Sequence, residues 1–265
     1  MSGRGDDDDP AATLTRLRTL VERTRPVSTA DQRVLPVLPA IEELLPARGL
    51  RRGSLVLVDG VAGATSMAFA VAAGPTRGGS WAACVGLGEL GWAAAAEAGV
   101  EMERLVVVRS TPQSWAAVTA ALVDAFDVVL CGLDHTPSAA QARRLQARAR
   151  ERGAVLVVVG GRRGGIGGSQ RSWPGGVDLA ITVSDPRWQG LGQGWGHLRS
   201  RVVTVEVTGR REPGGVRRVD LLLPGPTGAP APAPAPATAP AGRRQTATGA
   251  VASTGAEVLP LRQVG

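Results

Sequence analysis

The sequence predicts an α/β fold: a mostly parallel sheet flanked by helices, with an antiparallel C-terminal extension of the sheet. Three observations predict it. Between residues 55 and 159, short runs of Val, Leu, Ala and Cys alternate with longer Ala-rich stretches. Strands buried on both faces and joined by helices have this pattern. After residue 176 the helical stretches stop and three β-branched runs follow one another, as in hairpin-connected strands. Hydrophobic residues make up 43% of 265, enough for one substantial core with appendages.

Residues 1–36 read as a disordered start, a short basic helix and a linker. The start carries an acidic tract from Asp6 to Asp9. The helix is expected over 13–25, with Leu14, Leu17, Leu20 and Val21 at helical spacing and Arg16, Arg18, Arg23 and Arg25 elsewhere; Pro26 ends it. The core reads as 37–224. A helical turn at 41–45 and the tight turn Leu50-Arg-Arg-Gly53 lead into the first strong strand, 55–58. Helices are then expected at 67–73, 92–98, 115–125 and 139–152, and strands at 81–85, 105–108, 128–133 and 154–159. Residues 160–176 are rich in Gly and Arg, show no periodicity and read as a mobile loop. Strands at 177–183, 201–208 and 217–223 complete the sheet, and Pro224 closes it. Residues 225–265, with Ala-Pro repeats over 229–240, read as a stiff, disordered tail. Its apolar patch at 257–262 suits a short partner-binding motif.

The net charge of +7 is unevenly placed. Between Gln141 and Arg218, fifteen Arg face five acids (Glu151, Asp178, Asp185, Glu206 and Glu212). Such a surplus suits a polyanion partner, nucleic acid first, or a solvated surface in a GC-rich proteome. All 30 basic residues are Arg, and Lys, Tyr and Asn are missing altogether. Cys84 and Cys131 lie in apolar runs and read as buried, reduced thiols, which fits a cytoplasmic protein. No metal-ligand spacing, signal-peptide core or membrane-length apolar run is present. No metal site and no membrane are therefore expected.

The segment carrying most chemistry is Val58-Asp59-Gly60-Val-Ala-Gly63-Ala64-Thr65-Ser66. A β-branched strand runs into glycines, then hydroxyls, then an Ala-rich helix, the layout of a phosphate-binding loop. Two features depart from it. Only Val61 and Ala62 separate the glycines, where the full motif has four residues, and Ala64 holds the lysine position. Without that ammonium the β- and γ-phosphate charges are not neutralised, and Arg is a poor replacement. Gly60, Gly63, Ala64, Thr65 and Ser66 thus form a degenerate nucleotide loop in which the two hydroxyls survive. In the 160–176 loop, Arg162, Arg163 and Arg171 suit the phosphates of single-stranded DNA. Trp173 suits base stacking, worth about 1–3 kcal/mol per base. Trp188 and Trp195, in the next glycine-rich turns, are placed to join them. Arg143, Arg144, Arg148 and Arg150 fall within about two helical turns and read as one basic face for DNA or an acidic partner.

The order of elements over residues 44–223 resembles the RecA/RadA recombinase core. The entry turn Leu50-Arg-Arg-Gly53, the passage Ala98-Gly99-Val100-Glu101-Met102-Glu103-Arg104-Leu105 and the strand Asp127-Val128-Val129-Leu130 carry the likeness. Within that superfamily the chain is similar to the ImuA-prime family, actinobacterial accessory proteins of the SOS mutasome. That closer likeness rests on Val37-Leu-Pro-Ala40, the 59–66 loop, Val85-Gly-Leu, Arg187-Trp188-Gln-Gly190-Leu-Gly192 and the run from Arg201 to Gly209. The resemblance implies a role in damage-induced mutagenesis and translesion synthesis. The implied partners are an ImuB-type, Y-family-like protein and, through it, an error-prone replicative polymerase. The helix at 13–25 matches the place of the recombinases' self-association element, so self-association is also implied.

Aligned on Ala98-Gly99-Val100, the resemblance puts Leu87 where recombinases carry a catalytic Glu, with Glu89 two residues on. Aligned on Asp127-Val-Val-Leu, it puts Gly132 at the Walker B Asp, with Asp134 two residues late and His135 beside it. The expectation is a non-catalytic accessory subunit, a pseudo-ATPase with no cofactor. Two other readings stay open: an active RecA-type DNA-dependent ATPase using ATP, Mg²⁺, Glu89 and Asp134, and a SulA-like cell-division inhibitor.

Overall fold

A computed structural model of the chain describes residues 33–60, 62–87, 90–133, 136–160, 173–191, 196–210 and 215–234. The expected helix at 13–25, Glu89, Asp134, His135, Arg162, Arg163, Arg171, Trp195 and the patch at 257–262 lie outside the described residues. In chain order the elements are β1 (Val34–Leu35), α1 (Pro39–Glu42), β2 (Leu50–Arg51), β3 (Leu55–Gly60), α2 (Ala64–Arg77), β4 (Ala82–Val85), α3 (Trp92–Glu97), β5 (Leu105–Val108), α4 (Trp115–Ala125), β6 (Val128–Gly132), α5 (Ala139–Arg152), β7 (Val155–Val159), β8 (Leu179–Leu191), β9 (Gly196–Gly209), β10 (Arg217–Leu222) and β11 (Ala231–Pro232). They belong to one compact unit that ends at Ala233.

Nine strands form a single mixed sheet in the order β11-β10-β9-β8-β3-β7-β6-β4-β5. From β5 to β8 all neighbours are parallel, and β8, β9, β10 and β11 pair antiparallel. β6 and β7 are buried at every position, which explains their unbroken apolar sequence. One face packs on α2 and the segment around α1 through Leu35, Ile41, Met67, Phe69 and Val71. The other packs on α4 and α5 through Trp115, Leu122 and Leu145.

Local chemistry sets the helix ends. α5 begins at a capping box in which Ser138 and Gln141 bond each other's backbone, and ends at Gly153 with φ 69°. α2 is longer than the expected 67–73. It starts directly after Gly63 and runs through Gly74 and Pro75, which occupy its last turns. Gly74 is required there for packing: a Cβ on it would lie 2.3 Å from the Val37 Cα.

The hairpin of β8 and β9 is also longer than the expected strands at 177–183 and 201–208. A bulge between Ser184 and Arg187 absorbs Pro186, with Asp185 at φ 49°. The sheet does not close at Pro224, because β11 adds to β10 beyond it. Ordered structure also begins before residue 37, where β1 pairs with β2 in a separate two-stranded ribbon.

Candidate functional site

β3 lies between β7 and β8, so the glycine loop leaves the middle of the sheet and opens α2. The loop is tightly packed. Gly60 has φ 153°, and a Cβ on it would lie 2.3 Å from the Val183 carbonyl oxygen. The Gly60 N–H donates to the Asp59 carboxylate at 2.8 Å, so that amide is turned to its own chain. Ala64 is buried, and Thr65 and Ser66 are half-buried.

A side chain from a distant strand lies against this loop. Arg201 on β9 is only 7% exposed, and its Nη2 is 2.9 Å from where a Cβ on Gly63 would stand. Its Nε donates to the Leu223 carbonyl at 2.7 Å, and its guanidinium sits 4.9 Å from the centre of the Trp188 ring. Burial pushes its pKa down, but a guanidinium stays charged at physiological pH. Among the described residues no ion pair involves Arg201. A buried cation thus lies at the N-terminus of a 14-residue helix, where the helix dipole is positive and repels it. The Leu223 carbonyl and the indole face offset part of that cost. Trp188 is 45% exposed and shields the arrangement from one side.

The two strand ends that would carry acids are closed. Leu87 is buried in the core at 4% exposure. A Cβ on Gly132 would lie 2.0 Å from the Gly86 carbonyl oxygen and 3.1 Å from the Leu87 Cα. No side chain fits at Gly132 without moving the end of β4. Among the described residues no group of three or more His, Cys, Asp or Glu is arranged to hold a metal ion.

Of the DNA-binding residues expected in the 160–176 loop, only Trp173 is among the described residues. Trp173 is 4% exposed and packs in the core under α4 and α5, so it has no face free for a base; this corrects the stacking role given to it. The face of four arginines is divided. α5 turns Ala142, Leu145 and Ala149 inward, and its arginines lie outside them. Arg148 makes a bidentate pair with Asp124 at 2.6 and 2.5 Å. Arg152 adds a third bond to the same carboxylate at 3.2 Å. The hydrogen bond to Asp124 raises the Arg148 pKa. Arg150 meets Asp178 at 3.4 Å. Arg143 and Arg144 remain exposed, without an ion pair among the described residues.

Much of the basic surplus in the second half is likewise paired. Arg187 reaches Asp220 at 2.7 Å, and Arg218 reaches Glu206 at 3.0 Å. The Thr204 hydroxyl and Arg187 hold the Asp220 carboxyl below its ordinary range. Cys84 and Cys131 are both buried, and burial pushes the Cys84 thiol up to about 12. Arg201 is the residue against the loop that sequence reasoning passed over. Its signal was period-two alternation: it shares a face with Val203, Val205 and Val207, all core residues.

Part of the chain is similar to known proteins. The family model described as the MT3502 N-terminal domain matches residues 43–164, the segment from just after α1 to past β7 that includes the glycine loop. A protein of Mycobacterium tuberculosis (strain ATCC 25618 / H37Rv), described as uncharacterized protein Rv3395c, is 30% identical over 151 residues. The match covers 57% of this chain and 71% of that protein.

Proposed function

The chain belongs to the MT3502 N-terminal domain family, and from that premise we propose that it is a non-catalytic accessory subunit of a translesion-synthesis complex, of the ImuA-prime kind. The observation that carries the non-catalytic reading is Arg201. In a working phosphate loop a mobile cation meets the ligand. Here a buried guanidinium is already packed on Gly63 and held by Leu223 and Trp188. The closed backbone at Gly132 supports the same reading, since it leaves no room for a metal-holding acid there. The role in a polymerase complex is supported by the resemblance over residues 44–223. In this reading the subunit binds an ImuB-type protein and, through it, an error-prone replicative polymerase. It also contacts single-stranded DNA with Arg162, Arg163 and Arg171. Its place is the cytoplasm, at the nucleoid.

Equilibrium dialysis with ATP and Mg²⁺ tests the loop. The expected result is no binding at micromolar ATP. Mg²⁺-dependent binding that Gly63→Asp abolishes would sink the proposal and revive the ATPase reading through Glu89 and Asp134. A pull-down from DNA-damaged cells tests the complex. It is expected to recover a polymerase-related protein, and recovery of a division protein in its place would favour the SulA-like reading. For DNA, Arg162→Ala/Arg163→Ala is expected to weaken binding of a single-stranded oligonucleotide. Its salt dependence should flatten by about one unit for each phosphate that is no longer neutralised.

A further inference from the structure

We propose that Arg201 and the first turn of α2 form a site for a lone inorganic oxyanion of the phosphate or sulfate class, which rests on the reading of the glycine loop as non-catalytic and names what that loop holds in place of a nucleotide.

The donors come from two elements. Gly63 gives α2 no side-chain cap, so the Ala64, Thr65 and Ser66 amides open the helix without a capping acceptor. The next amide, that of Met67, is the first to be satisfied, by the Gly63 carbonyl at 2.8 Å. Thr65 and Ser66 are half-buried, and their hydroxyls make no hydrogen bond among the described residues. From β9, Arg201 spends its Nε on the Leu223 carbonyl. The N–H groups of Nη1 and Nη2 meet no acceptor among the described residues, and Nη2 is the atom turned to Gly63.

Buried donors as a rule have an acceptor, and a buried charge as a rule has a counter-charge. At Gly63 a guanidinium that is 7% exposed faces the positive end of a helix, and neither is satisfied. An oxyanion between them satisfies both. Its oxygens accept from the helix amides and from the guanidinium, and its charge turns the repulsion into two attractions. The loop limits the occupant to a single oxyanion. The Gly60 amide, further back along the loop, is already given to the Asp59 carboxylate at 2.8 Å. A second phosphate there meets a negative charge and no free Gly60 donor. The bound anion ties β9, in the antiparallel half, to α2.

The test is a thermal melt of the full chain in sodium chloride and in sodium phosphate of equal ionic strength, so that screening is unchanged. About 10 mM phosphate is expected to raise the Tm by about 3 °C or more, as for a Kd of about 1 mM. Arg201→Met should lose the shift. Ser66→Asp, which tethers a carboxylate in the first turn, should lose it too while keeping Arg201 in place, so the test survives an Arg201 variant that fails to fold. No shift in the wild-type protein overturns the proposal. An equal shift in either variant also overturns it, because the anion then binds elsewhere on the basic surface. Both outcomes leave the dialysis result with ATP, and so the non-catalytic reading, untouched. Mg²⁺-dependent binding of micromolar ATP that phosphate displaces overturns both, since the occupant is then a nucleotide.

Discussion

The parallel strands β3 to β7 and the antiparallel strands β8 to β10 belong to one sheet but are covered differently. The parallel half is covered by helices on both faces except at its edge strand β5, where Val107 is exposed, and β6 and β7 are buried throughout. The antiparallel half is covered on one face by α2 and the α1 segment. Its other face carries Arg187, Thr204, Glu206, Arg218 and Asp220 in mutual hydrogen bonds and ion pairs. Among the described residues of the first half, Leu87 is buried and Gly132 leaves no room for a side chain. The second half supplies the cation that meets the glycine loop. The half that holds the glycine loop is closed by packing at Leu87 and Gly132, and the antiparallel half brings charge to the loop.

The sharpest way to break this comparison is Gly132→Asp, which restores an acid at the end of β6. The clash with the Gly86 carbonyl is expected to cost about 3 kcal/mol or more in a denaturant melt. Val219→Asp on the partly exposed β10 should stay within about 0.5 kcal/mol. A stable Gly132→Asp variant that hydrolyses ATP would erase the distinction between the halves.

A smaller effect is expected for Arg201→Met, which keeps the packing and removes the charge. Relief of the repulsion from the α2 N-terminus returns about 0.3–1 kcal/mol, while the orphaned Leu223 carbonyl costs about 1–3 kcal/mol. The net expectation is a loss of about 1 kcal/mol by thermal or urea melt. A gain in stability would show that the Leu223 bond contributes nothing.

The smallest effect belongs to the exposed polar face. The Asp220 carboxyl is held below its ordinary range by Thr204 and then Arg187. Its stabilisation is therefore present above the unfolded value, near 3.9, and is lost as pH falls through the folded value. The side chain is 44% exposed, so solvent screening limits Asp220→Asn to about 0.5 kcal/mol at pH 7. The wild-type and variant melts should converge as pH falls from the unfolded value through the folded one. A gap that stays constant on acidification would remove the charge from the explanation.

The alternating elements were legible because each buried strand and amphipathic helix carries its own period. The strand at 105–108 and the helices at 115–125 and 139–152 have the bounds that their sequence gives them. Gly and Pro misled where tertiary packing overrode them. Pro75 lies inside α2 near its C-terminus, and Pro186 lies inside β8 because a bulge absorbs it. The candidate site was less legible. Trp173 looked like a loop aromatic, yet the α4 and α5 face buries it. Arg148 looked like free charge, yet its partner Asp124 lies 24 positions away, on another helix.

The sequence by itself determined the α/β class, the position of the glycine loop and the absence of its lysine. These are properties of one residue and its near neighbours along the chain. Only the tertiary structure decided what faces that loop. Period-two alternation places Arg201 on the inner face of its strand, but strand order decides that this face reaches Gly63. β8 joins β3 in parallel, and β9 pairs back on β8. The same pairing stacks Trp188 on Arg201 and brings the Leu223 carbonyl to its Nε.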